Sequence, residues 1–158
     1  MTTITTLRSG ARPREAARRD GFAWALGAAA LLTAANALWM LAAPAHWYHE
    51  LPANVPATGA YNEHFVRDIG CAFLVMAVAL AWAALRPAVR LPLAAVATLF
   101  LVAHALLHVF DSWRGYLPPG HWHHDLAGVY APALASIVLV LALLRRDART
   151  RAHRGGSA

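Results

Sequence analysis

The chain has 158 residues, 59% of them hydrophobic, and a mean hydropathy of +0.43, too apolar for an ordinary soluble domain and suited to a bilayer. Its formal charge of +6 does not point to nucleic acid, because the arginines sit in blocks that flank apolar runs and no basic face interleaved with aromatics occurs. The one cysteine, Cys71, excludes an intramolecular disulfide and any cysteine-based zinc motif.

Residues 1–19 are polar, carry Arg8, Arg12, Arg14, Arg18 and Arg19, and have no apolar face with which to fold, which predicts a cytoplasmic arm. From Gly21 to about Ala43 runs the first apolar segment, long enough to cross a hydrocarbon core of about 30 Å at about 1.5 Å per residue. A secretory signal with a cleavage site at Ala43-Pro44-Ala45 and a twin-arginine signal at Arg18-Arg19 compete with this reading. The run exceeds the usual signal length and Phe22 falls one position late, so a retained anchor is the expectation. Asn36, the amide inside this span, reads as a helix-to-helix hydrogen-bonding group.

Residues 44–65 are rich in Pro, Trp, Tyr, His and Gly and predict a loop along the membrane surface, with Trp47 and Tyr48 at headgroup level. The second span starts near Asn62 and runs to Leu85, stopped by Arg86-Pro87. Within its opening, Asn62-Glu63-His64-Phe65-Val66-Arg67-Asp68-Ile69-Gly70-Cys71, helical spacing puts His64, Arg67, Asp68 and Cys71 on one face. Arg67-Asp68 reads as a buried, charge-balanced pair, and Cys71 as a packing residue.

A short link, Arg86 to Pro92, predicts that the second and third spans are antiparallel neighbours. The third span, Leu91 to about Phe110, ends in His104-Ala-Leu-Leu-His108-Val-Phe-Asp111. His104, His108 and Asp111 fall within roughly 60° of one another on a helix. Ionisable groups inside a span are rare and count as a functional-site hypothesis. A turn-rich loop follows to His121-Trp-His123-His124-Asp125. These histidines read as a solvated run beside an N-cap aspartate, with His121 or His124 able to lean over a neighbouring pocket. The last span is expected from Leu126 to Leu144.

Four spans put both termini on one side, and 12 of the 14 arginines fall there, so the positive-inside rule makes that side cytoplasmic. Eight of the nine histidines then belong to the outer half. Counting from Arg90, His104 and His108 lie about 21 and 27 Å along a helix, and Asp68 lies about 5 Å inward from Phe65. Both polar stripes therefore occupy one outer layer, and if they face each other His64, Asp68, His104, His108 and Asp111 converge in one pocket.

Such a donor set suits a transition metal, with zinc, iron and copper all compatible. His104-x-x-x-His108 has the spacing by which a helix offers two imidazoles to one ion, but lacks the glutamate of a zinc protease. Haem ligation by histidines on facing helices, as in a membrane electron carrier, is one alternative. A non-catalytic module whose polar network fixes helix packing is another.

At Asn62-x-His64-Phe65-x-Arg67-Asp68-x-Gly70 and His104-x-x-x-His108-x-x-Asp111 the chain resembles an uncharacterised group of small bacterial membrane proteins with four spans. That resemblance covers roughly Trp47 to Asp111 and implies the fold but no activity. The expectation is an all-α, up-down-up-down four-helix bundle in the bacterial inner membrane. It comprises an arm over 1–19, a transmembrane domain over 20–145 and a cytoplasmic tail over 146–158, with the lipid bilayer as partner and no nucleic acid.

Overall fold

The computed structural model describes residues 20–155; the arm expected over 1–19 lies outside them, as do residues 156–158. Asp20 opens the first helix, α1 (Gly21–Ala42), its carboxylate accepting the Phe22 N–H at 3.2 Å, which satisfies one of the donors a helix start leaves free. Where the sequence predicts a loop, Pro44 begins a short helix, α2 (Pro44–Glu50), and a 3-10 turn follows at Val55–Thr58. Proline suits a first helical position because its φ is already set and its missing N–H would have had no partner. The buried Tyr48 of α2 donates its hydroxyl to the Gly59 carbonyl at 2.5 Å, and Trp47 Nε1 donates to Asn36 Oδ1 at 2.9 Å, so Asn36 ties α2 to α1.

Asn62 caps α3 (Glu63–Leu85) through the Phe65 N–H at 3.1 Å. A 3-10 turn at Pro87–Val89 leads into α4 (Arg90–Trp113). After a loop whose Gly115 and Gly120 adopt φ of +73° and +85°, a conformation glycine takes without a Cβ penalty, come α5 (Trp122–Asp125), a π-helical turn (Leu126–Tyr130) and α6 (Ala131–Gly155). The fourth helical run therefore begins earlier than Leu126 and continues well past Leu144. Arg145, Arg146 and Ala148 are good helix formers, and no proline or glycine interrupts before Gly155.

Four helical stretches, Gly21–Ala42, Glu63–Leu85, Pro87–Trp113 and Trp122–His153, are long and apolar enough to cross a membrane. The chain is an all-α integral membrane protein with an up-down-up-down bundle. α1 packs most extensively along α3, α3 against α4, and α4 against α6. The α1–α3 seam is close at Gly70, where a Cβ would stand 3.0 Å from Met40 Cβ and 3.2 Å from Leu41 Cγ.

All four long helices supply the apolar core: Leu26 and Ala30 from α1, Met76, Leu80 and Ala83 from α3, Ala94 and Ala97 from α4, Leu143 from α6. These residues sit toward the end of the bundle where Arg90 is buried. There Arg90 Nε donates to the Ala83 carbonyl at 3.0 Å, Nη2 to the Ala84 carbonyl at 3.2 Å, and Nη1 to Asp20 Oδ2 at 2.6 Å. One guanidinium thus closes the C-terminus of α3 and grips the cap of α1. Its hydrogen bond holds the Asp20 carboxyl below the ordinary aspartate value, with the Phe22 N–H and Arg146 adding to the effect.

Candidate functional site at the histidine end

The opposite end of the bundle holds the polar centre. Asp125 has no exposed surface and His121 is 3% exposed; among the described residues no other polar side chain in this half of the molecule is so fully covered. His108 Nδ1 approaches Asp125 Oδ2 to 3.0 Å and His121 Nε2 approaches Oδ1 to 3.5 Å, so two imidazoles from different parts of the chain flank one carboxylate. Neither approach has the alignment of a hydrogen bond. His108 Nδ1, both ring nitrogens of His121 and both oxygens of Asp125 are buried without a hydrogen-bond partner. Buried donors and acceptors therefore face one another at ion-pair distances without hydrogen-bond alignment.

Three local features assemble this centre. Helical spacing on α4 sets His104 one turn deeper than His108, with ring centroids 4.8 Å apart and edge to face. The His104 ring in turn stacks on Phe100 at 6.2 Å and meets Phe73 of α3 edge-on at 6.5 Å. The glycine turns of the 114–121 loop bring the chain back over α4, so that His121 and Asp125, four residues apart, share a face. The π-helical turn directly after Asp125 is a distortion often found beside functional side chains. His124 lies outermost, its ring 5.6 Å from that of His121, and His123 is turned away, Nδ1 2.9 Å from the Gly120 carbonyl.

Of the residues singled out from the sequence, the structure brings together His104, His108 and His121, the last read as able to lean over the pocket, and sets His64 and Asp68 apart. His64 Nε2 lies 3.3 Å from Asp68 Oδ2 on α3, but their side chains are 88% and 60% exposed. Both point away from the core, because the buried line of α3 runs through Val66, Gly70 and Met76. Arg67 does not pair with Asp68. It binds Glu63 at 2.6 Å and the Leu41 carbonyl at 3.3 Å, consistent with neighbours on a helix being four residues apart and not one. Cys71 is exposed. Asp111 is half-buried, and its backbone carbonyl accepts the Tyr116 N–H at 2.9 Å. Asp125, expected as a solvated N-cap, is instead the most deeply buried polar residue of the site and the last residue of α5. The signal for it was the His121-x-x-x-Asp125 spacing, which lacked only the information that α4 passes alongside.

Among the described residues no group of three or more His, Cys, Asp or Glu side chains is arranged to hold a metal ion. Comparison with family models, with curated proteins and with solved structures gives no match for this chain. What stands is a class: a four-span membrane protein with a buried histidine–aspartate–histidine centre near one end of its bundle.

Proposed function

We propose that this protein takes up and exchanges a proton at His108, Asp125 and His121, with His104 one turn deeper as the next protonatable group. A single observation carries the reading: a carboxylate with no exposed surface stands between two imidazoles, and none of the facing atoms is satisfied. Burying a lone carboxylate is prohibitive, so it must be neutralised by a bound proton or by an imidazolium partner. Either state places one proton among three groups that can trade it, and chains of Asp and His inside membranes serve as proton relays. A proton needs no further ligands, whereas a zinc, iron or copper ion needs donors converging on one point. The metal expected from the sequence is therefore the competing occupant.

The arginine distribution supports a bacterial inner-membrane location with both termini cytoplasmic, so the cluster exchanges with the outside. Histidine ring-nitrogen NMR of the protein in bilayers, followed through a pH titration, tests the proposal. The expected result is two coupled imidazole titrations that collapse to independent ones in Asp125→Asn, with no response to added zinc, copper or iron. Stoichiometric metal uptake lost in His108→Ala would transfer the site to a metal, and uncoupled titrations in the wild type would end the proton reading.

A further inference from the structure

At the arginine end of the bundle, one outward stripe of α6 changes from apolar to cationic. At about 100° per residue Leu134, Val138, Leu141, Arg145 and Arg149 lie within roughly 80° of one another, and all five are exposed. Buried Leu143 stands on the opposite face of the helix, so the stripe looks away from the bundle and toward lipid. Contacts fix the height of its arginines. The next residue, Arg146, lies over the Phe22 ring at 5.4 Å and approaches Asp20 Oδ1 to 3.5 Å, which sets Arg145 level with the first turn of α1. The exposed Trp24 and Trp82, each about one turn from its helix end, mark that level as the membrane interface.

Charge at this level is unbalanced. Two carboxylates occur at this end among the described residues, and Asp20 is taken by Arg90 and Arg146. The other, Asp147, lies by helical spacing on the far side of α6 from Arg145 and Arg149. Paired guanidinium N–H donors match the oxygens of a phosphate, so two adjacent arginines without a carboxylate suit a phosphate ester. The apolar part of the stripe narrows the ligand further. From Leu134 to Arg145 the helix rises about 16 Å, close to half of a hydrocarbon core of about 30 Å, which is the depth of one leaflet. A soluble anion would use the arginines alone, whereas a phospholipid matches the stripe along its whole length.

We propose that this stripe binds an anionic phospholipid, whose phosphate is held by Arg145 and Arg149 and whose acyl chains run along Leu141, Val138 and Leu134. The site is independent of proton exchange at the histidine cluster, which lies at the other end of the bundle, and it holds whichever compartment the arginine end faces.

The test titrates the full chain in detergent micelles with phosphatidylglycerol or with phosphatidylcholine of the same acyl chains, and counts bound lipid by native mass spectrometry. The expected result is saturable binding of phosphatidylglycerol, with phosphatidylcholine, whose choline offsets the phosphate charge, weaker by about tenfold. Arg149→Gln should weaken phosphatidylglycerol by about fivefold. Arg151→Gln removes the same charge from the other side of the exposed helix and should weaken it less than about twofold, since it leaves both proposed phosphate contacts in place. Glycerol phosphate, the headgroup without chains, should bind far more weakly than the lipid. Equal binding of the two lipids would overturn the proposal. So would equal losses in the two variants, which would mean diffuse attraction, or glycerol phosphate binding as tightly as the lipid, which would mean a site for a soluble phosphate.

Discussion

Asp125 is the residue whose environment costs most to build, and its neighbours can be ranked by what their loss would do to it. Removing the His108 imidazole leaves a covered carboxylate with its better partner gone, a change that in proteins costs about 3–5 kcal/mol. His108→Ala should therefore lower the unfolding midpoint in detergent strongly. Asp125→Asn, which removes the charge and keeps the shape, should lower it less, and His64→Ala, on an exposed side chain, should leave it unchanged. Equal effects from His64 and His108 would place both in one network and contradict the structure. Half of this centre was legible in the chain. His104 and His108 announce themselves by falling on one stripe of an apolar helix. Asp125 does not, because an aspartate ahead of an apolar run also fits a helix cap, and which reading holds depends on a contact across the bundle that spacing along one helix does not report. The same limit misplaced His64 and Asp68: their shared face was correctly inferred, but which face of α3 meets a neighbour is decided by Gly70 and Val66.

Among the elements, the α1–α3 seam and the Asp20–Arg90 junction respond to opposite perturbations. At Gly70 the nearest obstacle to a side chain is Met40 Cβ, an atom fixed to the α1 backbone, so neither helix can yield without moving as a whole. Gly70→Val should cost about 1–3 kcal/mol through overpacking. Gly27→Ala in α1, where nothing stands within 4 Å of the new Cβ, should be neutral or slightly stabilising. Thermal denaturation of the two variants measures the difference. At the junction, Asp20 has a carboxyl held below its ordinary value by Arg90. A group more acidic folded than unfolded contributes stability that is complete above the ordinary aspartate range and is lost as pH falls through the lowered value. Melting midpoints should thus fall below about pH 4, the ordinary aspartate range, and Asp20→Asn should remove part of that acid limb. The first three span positions were readable from hydropathy, with Asn62 marking the start of the second and Arg86-Pro87 its end. The short helix at Pro44–Glu50 was not, since its aromatic, histidine-rich composition reads equally as surface loop.

As a whole the molecule has two unlike ends: one closed by small apolar residues and a buried arginine, the other built around buried histidines and a carboxylate. The arginine end carries Arg86, Arg90, Arg145, Arg146, Arg149 and Arg151, and the opposite end has Arg67 and Arg114 alone among the described residues. By the positive-inside rule that asymmetry predicts which compartment the cluster meets, because cytoplasmic flanks retain positive charge during insertion. With the exposed Cys71 first changed to serine, single cysteines at Thr58→Cys and Ala152→Cys report the two ends. A membrane-impermeant thiol reagent applied to intact inner-membrane spheroplasts should label the first and spare the second until the membrane is opened. The reverse pattern would turn the His108–Asp125–His121 centre toward the cytoplasm. The proposed chemistry would survive unchanged, but a proton held there would equilibrate with the cytoplasm. Sidedness thus bears on where the proposed site would draw its proton, while the geometry of the buried aspartate bears on whether it holds a proton at all.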